Sequence, residues 1–349
     1  MEKGIFIKDI KPGTQVEGLF CVLSKSLRKT KNGAPFLSIT LSDNSGEVEA
    51  RVWDNAEEIA IRFDKGDFVL IKAEAIEFNS KVQLKVNELK SLDTEKIKVE
   101  HFLPSARCNL DIALELVYKA IKEIKDASLR VLLTEIFSDK KLEKEFKEAP
   151  AAKKMHHAYI GGLLEHVVSL IDLTKLVCKK YEHLKKDLLI TSCILHDIGK
   201  IRELKWAPPP IDYSDEGRLL GHIAIGIEII DRACKIIGIE TNSGSILSLK
   251  HIILSHHGHR EFGSPVLPMT EEALIFHMID DMDAKINFLW GLKEKAEEDD
   301  KGYKWSEYQR LFERYFFLPP IVEEEKNPIK KQGLMQSRLF EPREDSHES

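Results

Sequence analysis

The first 92 residues alternate apolar and polar positions with a period of two, as β-strands with one buried face do. This alternation predicts strands over residues 15–22, 36–41, 47–53, 68–75 and 82–86. The turn-forming residues 42–46 lie between the second and third of these strands and predict a β-hairpin. Residues 56–61, between the third and fourth strands, have a helical pattern.

Five strands with a helix after the third are typical of the OB-fold, a small closed barrel. From about residue 109 the period becomes helical, and helices alone are predicted as far as about Leu318. The pattern therefore predicts two domains, an all-β OB-fold barrel over residues 1–92 and an all-α helical bundle over residues 111–320. Residues 93–110 are predicted as a linker, and the charged, aperiodic residues 321–349 as a disordered tail.

Composition limits the class of protein. With 349 residues, of which 43% are hydrophobic and 32% charged, the chain can bury the cores of two globular domains. We expect neither a transmembrane helix nor a secretory leader. The five cysteines include no Cys-x-x-Cys pair, which favours reduced core residues of a cytoplasmic protein. The net charge of −6 argues against a broadly basic surface but is compatible with a local basic groove.

The helical region contains an ordered set of histidines and aspartates, each at or near the end of an apolar segment. Burying such side chains is costly unless something pairs with them, and divalent transition metals accept both imidazole and carboxylate ligands. One histidine alone would more often be an ordinary core or surface residue, but the ordered set predicts a metal centre. Its members are His166, His196, Asp197, His222, His256, His257 and Asp280.

In this order the residues resemble the HD-domain phosphohydrolase superfamily, over about residues 155–292. The most specific parts are the runs 196–200 (His-Asp-Ile-Gly-Lys) and 280–284 (Asp-Asp-Met-Asp-Ala). The resemblance implies that Asp197 bridges two metals and acts in catalysis. It implies one metal on His166, His196, Asp197 and Asp280, and a second on Asp197, His222, His256 and His257.

The same resemblance selects Asp280 as the ligand of the last run and assigns Asp283 to the surroundings of the ligands or to helix packing. Lys200, one turn beyond the His-Asp pair, is a second catalytic candidate that would meet a substrate phosphate. A plain surface lysine is the alternative interpretation.

An OB-like barrel before an HD domain is similar to the YhaM family of 3′→5′ exoribonucleases, and residues 153–166 and 255–265 add to the similarity. The resemblance extends to about Pro320. It implies a cytoplasmic enzyme that shortens single-stranded RNA, and sometimes DNA, from the 3′ end and releases nucleoside 5′-monophosphates. It also implies two divalent ions, typically manganese or cobalt. Iron, zinc and magnesium stay open because the ligand types do not fix the metal.

Several residues are candidates for contact with the nucleic acid. Residues 25–33 form a cationic segment, interpreted as a strand-binding loop between the first two strands or as a solvated turn. Aromatic residues near the strands, including Phe78, would stack on bases or fill the barrel core. Two histidines before the first ligand would contact the scissile phosphate or lie on a helix surface. The candidates are Lys25, Arg28, Lys29, Lys31, Phe36, Trp53, His156 and His157.

Two other functions remain open: hydrolysis of a small nucleotide or cyclic dinucleotide, and a non-catalytic adaptor that binds single strands. After His256 and His257 the sequence reads Gly-His-Arg-Glu, without the Gly-Tyr-Pro element of cyclic-di-GMP phosphodiesterases. The complete ligand set argues against the adaptor, since unused buried ligands would be costly. A homo-oligomer is a further hypothesis, with the apolar stretch 305–317 as its candidate interface. No membrane partner is expected.

Overall fold

A computed structural model describes residues 3–30, 32–79, 81–92, 101–103, 106, 108–153, 159–206, 209–242, 244–298 and 304–319. The chain divides into two compact units. The first comprises Met1–Ser105 and Leu204–Ser214, and the second comprises Ala106–Glu203 and Asp215–Ser349.

The first unit is built on a closed barrel of five strands in the order β1-β2-β3-β5-β4. The parallel pairing of β3 with β5 closes the barrel, whereas its other strand pairs are antiparallel. The helix α1 follows β3, so the predicted OB-fold barrel is confirmed. Its elements are β1 (Gln15–Lys29), β2 (Pro35–Asp43), β3 (Gly46–Val52), α1 (Ala56–Ala60), β4 (Phe68–Phe78) and β5 (Lys81–Leu92).

The barrel core follows from the alternation of the strands. Leu37, Ile39 and Leu41 of β2 point inward and are buried, while the residues between them are half-buried on the outer side. Phe20 of β1 and Leu84 of β5 are fully buried in the same core. Each such side chain contributes about 1.5–3 kcal/mol through burial, which fixes the register of the strands.

The predicted loop over residues 25–33 is wrong in its first part, because β1 continues to Lys29 and pairs there with Pro35. Lys25, Arg28 and Lys29 therefore lie on a strand. Lys25 is engaged within the unit, with Nζ 2.8 Å from the Ala60 carbonyl oxygen and 2.6 Å from Asp64 Oδ1. Lys25 therefore has a structural role in the barrel unit, and the nucleic-acid contact predicted for it stays a prediction.

The second unit is helical, as predicted. Its helices begin with side-chain caps where the sequence supplies them, since Asn109, Asp126 and Asp139 each accept a hydrogen bond from the first turn. None of the helices in the described ranges has the length and apolar sequence needed to cross a bilayer. The helices are α2 (Leu110–Glu123), α3 (Ala127–Ile136), α4 (Lys140–Glu148), α5 (Gly162–Lys180), α6 (Lys186–Leu195), α7 (Lys200–Glu203), α8 (Asp215–Ile237), α9 (Gly244–Ser255) and α10 (Glu271–Glu298).

The prediction of helices alone after residue 109 is wrong at two short strand pairs. Strands β6 (Leu204–Lys205) and β7 (Asp212–Tyr213) pair with each other, as do β8 (Lys304–Trp305) and β9 (Phe317–Leu318). Strands of two residues are too short to show an alternation. The predicted tail, residues 321–349, lies outside the described residues.

The segment Leu204–Ser214 belongs to the barrel unit although it lies between two helices in the sequence. The Cys21 thiol donates a hydrogen bond to the Pro209 carbonyl oxygen at 3.3 Å, and Lys65 Nζ lies 3.2 Å from Asp212 Oδ2. Within the predicted linker, Phe102 is buried and packs edge-on against Phe68 with ring centroids 4.7 Å apart. Both segments therefore extend the packing of the barrel.

Candidate metal centre

The seven predicted ligands converge from five helices of the helical unit. The first turn of α5 carries one of them, the residues just after α6 and α9 carry two each, and α8 and α10 carry one each. Four of the seven are buried, and the other three, His222, His257 and Asp280, are half-buried. The converging residues are His166 on α5, His196 and Asp197 after α6, His222 on α8, His256 and His257 after α9, and Asp280 on α10.

A break in α8 positions His222. Gly221 has φ 74° and ψ 156°, so the helix stops there and starts again at His222. The positive φ favours glycine at this position, because other residues are strained in that region. The second part of α8 therefore begins with an imidazole aimed at Asp197, and His222 Nε2 lies 3.4 Å from Asp197 Oδ1.

Asp197 stands between two groups of histidines. Its Oδ2 lies 3.3 Å from His196 Nε2, whereas its Oδ1 lies 3.8 Å from His256 Nε2 on the other side. On the first side, Asp280 Oδ1 is 3.1 Å from His166 Nε2 and 3.8 Å from His196 Nε2. The donor atoms of His166, His196 and Asp197 lie within 4.8 Å of one another, as do those of His222, His256 and His257.

Two of the imidazoles are oriented by carboxylates. His166 Nδ1 lies 2.8 Å from Asp283 Oδ2, and His222 Nδ1 lies 3.0 Å from Glu203 Oε1. A carboxylate on one ring nitrogen fixes the tautomer and directs the other nitrogen to a metal. The sequence interpretation missed Glu203. In the sequence, Glu203 is recognisable only as an acidic residue six positions after Asp197. In the structure, Gly217 packs closely against the Glu203 backbone.

Backbone carbonyl groups orient the other three imidazoles in the same sense. In each case Nδ1 lies at hydrogen-bond distance from a carbonyl oxygen, which leaves Nε2 directed towards the centre. The pairs are His196 with Cys193 at 3.2 Å, His256 with Ile253 at 2.7 Å and His257 with Phe262 at 2.7 Å.

The electrostatics of the site favour the forms of the side chains that bind metals. Burial disfavours the Asp197 carboxylate, but Lys200 and His196 hold the pKa of Asp197 well below its usual range. Burial, together with the charges of His257 and His196, keeps the pKa of His256 well below 6.5. An ionised carboxylate and a neutral imidazole are the ligand forms.

His166 differs because it lies between two carboxylates. Burial opposes its charged form, yet the hydrogen bonds to Asp280 and Asp283 and the charges of both raise the pKa of His166 to about 10. A cation held at His166 Nε2 would take the place of this proton.

Three buried atoms at the centre support a metal directly. His196 Nε2, His222 Nε2 and Asp197 Oδ1 have no hydrogen-bond partner among the described residues. Buried polar atoms are costly when they are unpaired. All three are ligand atoms of the predicted metals, so the residues present fit divalent ions.

Lys200 lies inside the site and is not a plain surface residue. Its Nζ lies 2.6 Å from Asp197 Oδ2, and its side chain is 13% exposed. Burial lowers the pKa of Lys200, but the charge and hydrogen bond of Asp197 outweigh this effect and raise it above 10.5. Lys200 is therefore a cation that lines the cavity over the metal centre.

Separately, three aromatic side chains form a surface on the barrel. The Phe36 and Trp53 rings stack with centroids 4.9 Å apart and planes 27° apart. Phe36 is half-buried, whereas Trp53 is 40% and Phe78 is 46% exposed. The guanidinium carbon of Arg51 lies 5.7 Å from the centre of the Phe36 ring and 5.0 Å from that of Phe78. The aromatic candidates thus lie on the outside of the barrel, with Arg51 as a residue that the sequence interpretation missed.

Other predicted contacts have separate outcomes. Arg28 is exposed and pairs with Phe36 across β1 and β2, next to the aromatic surface. Lys29 is exposed at the end of β1. Lys31, His156 and His157 lie outside the described residues.

Gly199 lets α7 lie against α8, and replacing it with alanine is expected to damage the centre. An added Cβ would lie 2.0 Å from the His222 carbonyl oxygen and 2.8 Å from the Gly226 nitrogen. We expect Gly199→Ala to lower the free energy of unfolding by about 1–3 kcal/mol and to weaken metal binding, because Asp197 and His222 must move apart. Chemical denaturation and a metal titration measure both effects.

Gly226→Ala is the matched control for this prediction. Its added Cβ would lie 3.6 Å from Ile198 Cγ2, an ordinary contact, and alanine is a better helix former than glycine. This variant should keep or slightly increase the stability of the protein. Equal losses in the two variants would contradict the close approach of α7 and α8.

Comparisons with known proteins agree with the two-domain arrangement. A family model described as HD domain matches residues 163–285, and one described as OB-fold nucleic acid binding domain matches residues 22–92. The 3′-5′ exoribonuclease YhaM of Bacillus licheniformis is 35% identical over 322 residues, which cover 92% of this chain and 99% of that protein. The chain belongs to the YhaM family. YhaM proteins of Bacillus subtilis and Halalkalibacterium halodurans are each 34% identical, with 92% of this chain and 99% of theirs covered.

Membership of the YhaM family confirms the family predicted from the sequence. The protein is a metal-dependent enzyme of the HD superfamily, and its helical domain binds divalent metal. Its barrel is a nucleic-acid-binding OB-fold domain.

Proposed function

We propose that the protein removes nucleotides one at a time from the 3′ end of single-stranded RNA, with two divalent ions bound in the helical domain. The position of Asp197 carries this proposal. Its Oδ2 lies 3.3 Å from His196 Nε2 and its Oδ1 lies 3.4 Å from His222 Nε2, so one carboxylate faces both ligand groups. A phosphoesterase with two metals needs such a bridging ligand. Membership of a family of 3′-5′ exoribonucleases supports the 3′ end as the substrate.

The proposed ligands follow the two groups of side chains. Manganese or cobalt is the proposed metal, as in the family resemblance. When bound, such ions lower the pKa of water and offset the negative charge on the phosphoryl group. The first ion would be held by His166, His196, Asp197 and Asp280, and the second by Asp197, His222, His256 and His257.

The reaction adds water across the last phosphodiester linkage. A bond forms between the water oxygen and phosphorus, and the bond from phosphorus to O3′ of the penultimate nucleotide breaks. O3′ takes up a proton, and the terminal nucleotide leaves with its 5′ phosphate. The ammonium group of Lys200, which lines the cavity, stabilises the negative charge that develops on the phosphoryl oxygens.

The outer surface of the barrel is the proposed site for the incoming strand. Phe36 and Trp53 offer stacked aromatic faces to bases, and Arg28 lies beside them on β1. The Arg51 Nε atom has no hydrogen-bond partner among the described residues, although it is buried. A base edge or a phosphate oxygen would pair with it. Because the protein has a net charge of −6, only local basic residues can attract the negatively charged strand.

The test is incubation of a 5′-labelled single-stranded RNA with the protein and Mn²⁺. We expect a ladder of products that shorten one nucleotide at a time, and nucleoside 5′-monophosphates in the supernatant. A parallel assay with nucleoside triphosphates and cyclic dinucleotides examines the small-nucleotide alternative. Faster hydrolysis of those substrates, or cleavage that starts from the 5′ end, would overturn the proposal.

Glu203→Gln is expected to weaken divalent-metal binding by about 10- to 100-fold, the usual effect of losing a partner of a ligand. The amide keeps the size of the side chain but removes the charge that orients His222 through Nδ1. Calorimetric titration with Mn²⁺ measures the change.

Glu216→Gln is the control, because Glu216 contacts Arg202 through Nε at 3.2 Å. It should bind metal as the wild type does. If both variants bound metal with wild-type affinity, Glu203 would have no part in holding His222 for the second ion.

A further inference from the structure

The cavity over the metal centre has two chemically different walls. It measures about 420 Å³, within the range of small-molecule sites of about 300–1,000 Å³. One wall consists of metal-centre side chains, such as Asp197, His256 and Asp280. Another part of the lining, here called the apolar wall, includes Phe288, Leu311 and Phe312. Metal binding alone does not require the apolar wall.

Two aromatic rings dominate the apolar wall. Phe288 of α10 and Phe312 stack with ring centroids 5.2 Å apart and planes 29° apart. Phe316 supports Phe312 edge-on, with centroids 5.1 Å apart and planes 85° apart. Phe288 and Phe312 are half-buried, and both line the cavity.

The backbone of the last described segment holds Phe312 in place. Residues Arg310–Phe312 form a short 3-10 helix between β8 and β9. The Phe316 amide donates to Ser306 Oγ at 2.9 Å, and the Gln309 amide donates to the Arg314 carbonyl oxygen at 2.9 Å. The ring of Phe312 is therefore presented by a turn with defined hydrogen bonds.

The chemistry of the reaction indicates what this wall meets. The proposed cleavage leaves the 5′ phosphate on the terminal nucleotide, so the terminal nucleoside lies beyond the scissile phosphate at the moment of attack. The phosphate faces the metal-centre wall because charge must be stabilised there. The base then extends from the same nucleotide into the rest of the cavity, which the aromatic rings line.

We propose that Phe288 and Phe312 form the stacking site for the base of the 3′-terminal nucleotide. The inference rests on the proposed function and adds where the leaving nucleotide is held. Stacking accepts every base because each has a π-face, so the site serves an enzyme that removes nucleotides of any sequence. The site also favours a single-stranded end, since a paired base would not enter.

The test compares two 5′-labelled RNAs that differ only in the last residue, adenosine in one and a ribose without a base in the other. Single-turnover rates of the first cleavage are measured for wild type, Phe312→Ala, Phe312→Leu and Phe312→Trp. Tyr315→Ala is the matched control, because Tyr315 is 58% exposed on the same segment and pairs with Tyr308, away from the cavity lining. Calorimetric binding of AMP is the second readout and requires no turnover.

In the wild type we expect removal of the terminal base to slow the first cleavage by roughly 5- to 150-fold, the effect of losing one stacked base. Phe312→Ala and Phe312→Leu should cleave both RNAs at the slow rate and bind AMP more weakly by a similar factor. Phe312→Trp and Tyr315→Ala should behave like the wild type. Leucine keeps an apolar side chain, so this variant decides the question if the alanine variant fails to fold.

Two results separate the inference from the proposed function. If the wild type shortens neither RNA, the proposed function fails, and the binding of AMP alone still tests the stacking site. If the wild type cleaves both RNAs at one rate and Phe312→Leu matches it in rate and AMP affinity, the stacking site is wrong while the exonuclease stands.

Discussion

Replacing Asp197 with asparagine is expected to slow RNA hydrolysis by at least about 10²–10³-fold, the cost of removing one group that stabilises the transition state. The amide keeps the shape of the side chain but carries no charge, and its nitrogen cannot act as a ligand. Asp197 presents one oxygen to each histidine group, at 3.3 and 3.4 Å, so one group would then face the amide nitrogen in place of an oxygen. Single-turnover hydrolysis and metal analysis of the purified protein measure the loss.

The same substitution removes the counter-ion of Lys200, whose side chain is 13% exposed. Removing one partner of a buried ion pair costs about 3–5 kcal/mol, so the unfolded fraction is measured separately from the loss of activity. The double variant Asp197→Asn with Lys200→Gln restores neutrality and should recover stability without recovering activity.

Asp231→Asn is the matched control, because Asp231 pairs with Lys250 at 2.8 Å and the Lys250 side chain is also 13% exposed. It removes an ion pair of the same unit outside the metal centre, whose carboxylate is 35% exposed, and should hydrolyse RNA at the wild-type rate. Wild-type hydrolysis and metal content in Asp197→Asn would contradict the bridging role of Asp197.

The metal centre could be predicted from the sequence because its chemistry depends on residue types that are costly to bury without a partner. Each histidine and aspartate of the set lies at or near the end of an apolar segment, so the pattern identifies these residues without knowledge of the fold. Of the two carboxylates that orient the rings, Asp283 was expected near the ligands from the family resemblance, whereas Glu203 was missed. Glu203 lies among charged residues, and its contact with His222 depends on the break of α8 at Gly221.

The barrel could be predicted in its order of strands but not in their lengths. A period of two reports burial on one face, and β1 continues beyond the core, where both faces are exposed. The position of Phe36 and Trp53 stayed open for a related reason. A shift of one residue in register exchanges the two faces of a strand, and the pairing of Ser38 with Arg51 decides which face is outside.

The segment 204–214 shows a third limit of the sequence. Its strands have two residues each, and its contacts reach Cys21 and Lys65, far away in the chain. Neither the period nor the neighbouring residues contain information about such distant partners. The assignment of these residues to the barrel unit therefore needed coordinates.

Trp53→Ala is expected to weaken single-stranded RNA binding by about 1–3 kcal/mol, or roughly 5- to 150-fold in Kd, if one base stacks on it. Trp53 is 40% exposed and stacks on Phe36 at 4.9 Å, so its removal takes away an aromatic face and loosens the neighbouring ring. Fluorescence anisotropy with a labelled RNA measures Kd in the Asp197→Asn background, in which the RNA stays intact.

Trp290→Ala is the matched control for Trp53→Ala. Trp290 is 46% exposed on α10 and donates a hydrogen bond to Glu294 Oε1 at 2.7 Å, and it does not line the cavity. We expect Trp53→Ala alone to lose affinity for RNA, and the affinity of all variants to decrease at high salt. These two results together would mean that both stacking on the barrel and contacts to phosphates contribute to binding. Equal affinities in Trp53→Ala, Trp290→Ala and the parent would mean that the strand does not bind at the aromatic side chains of the barrel.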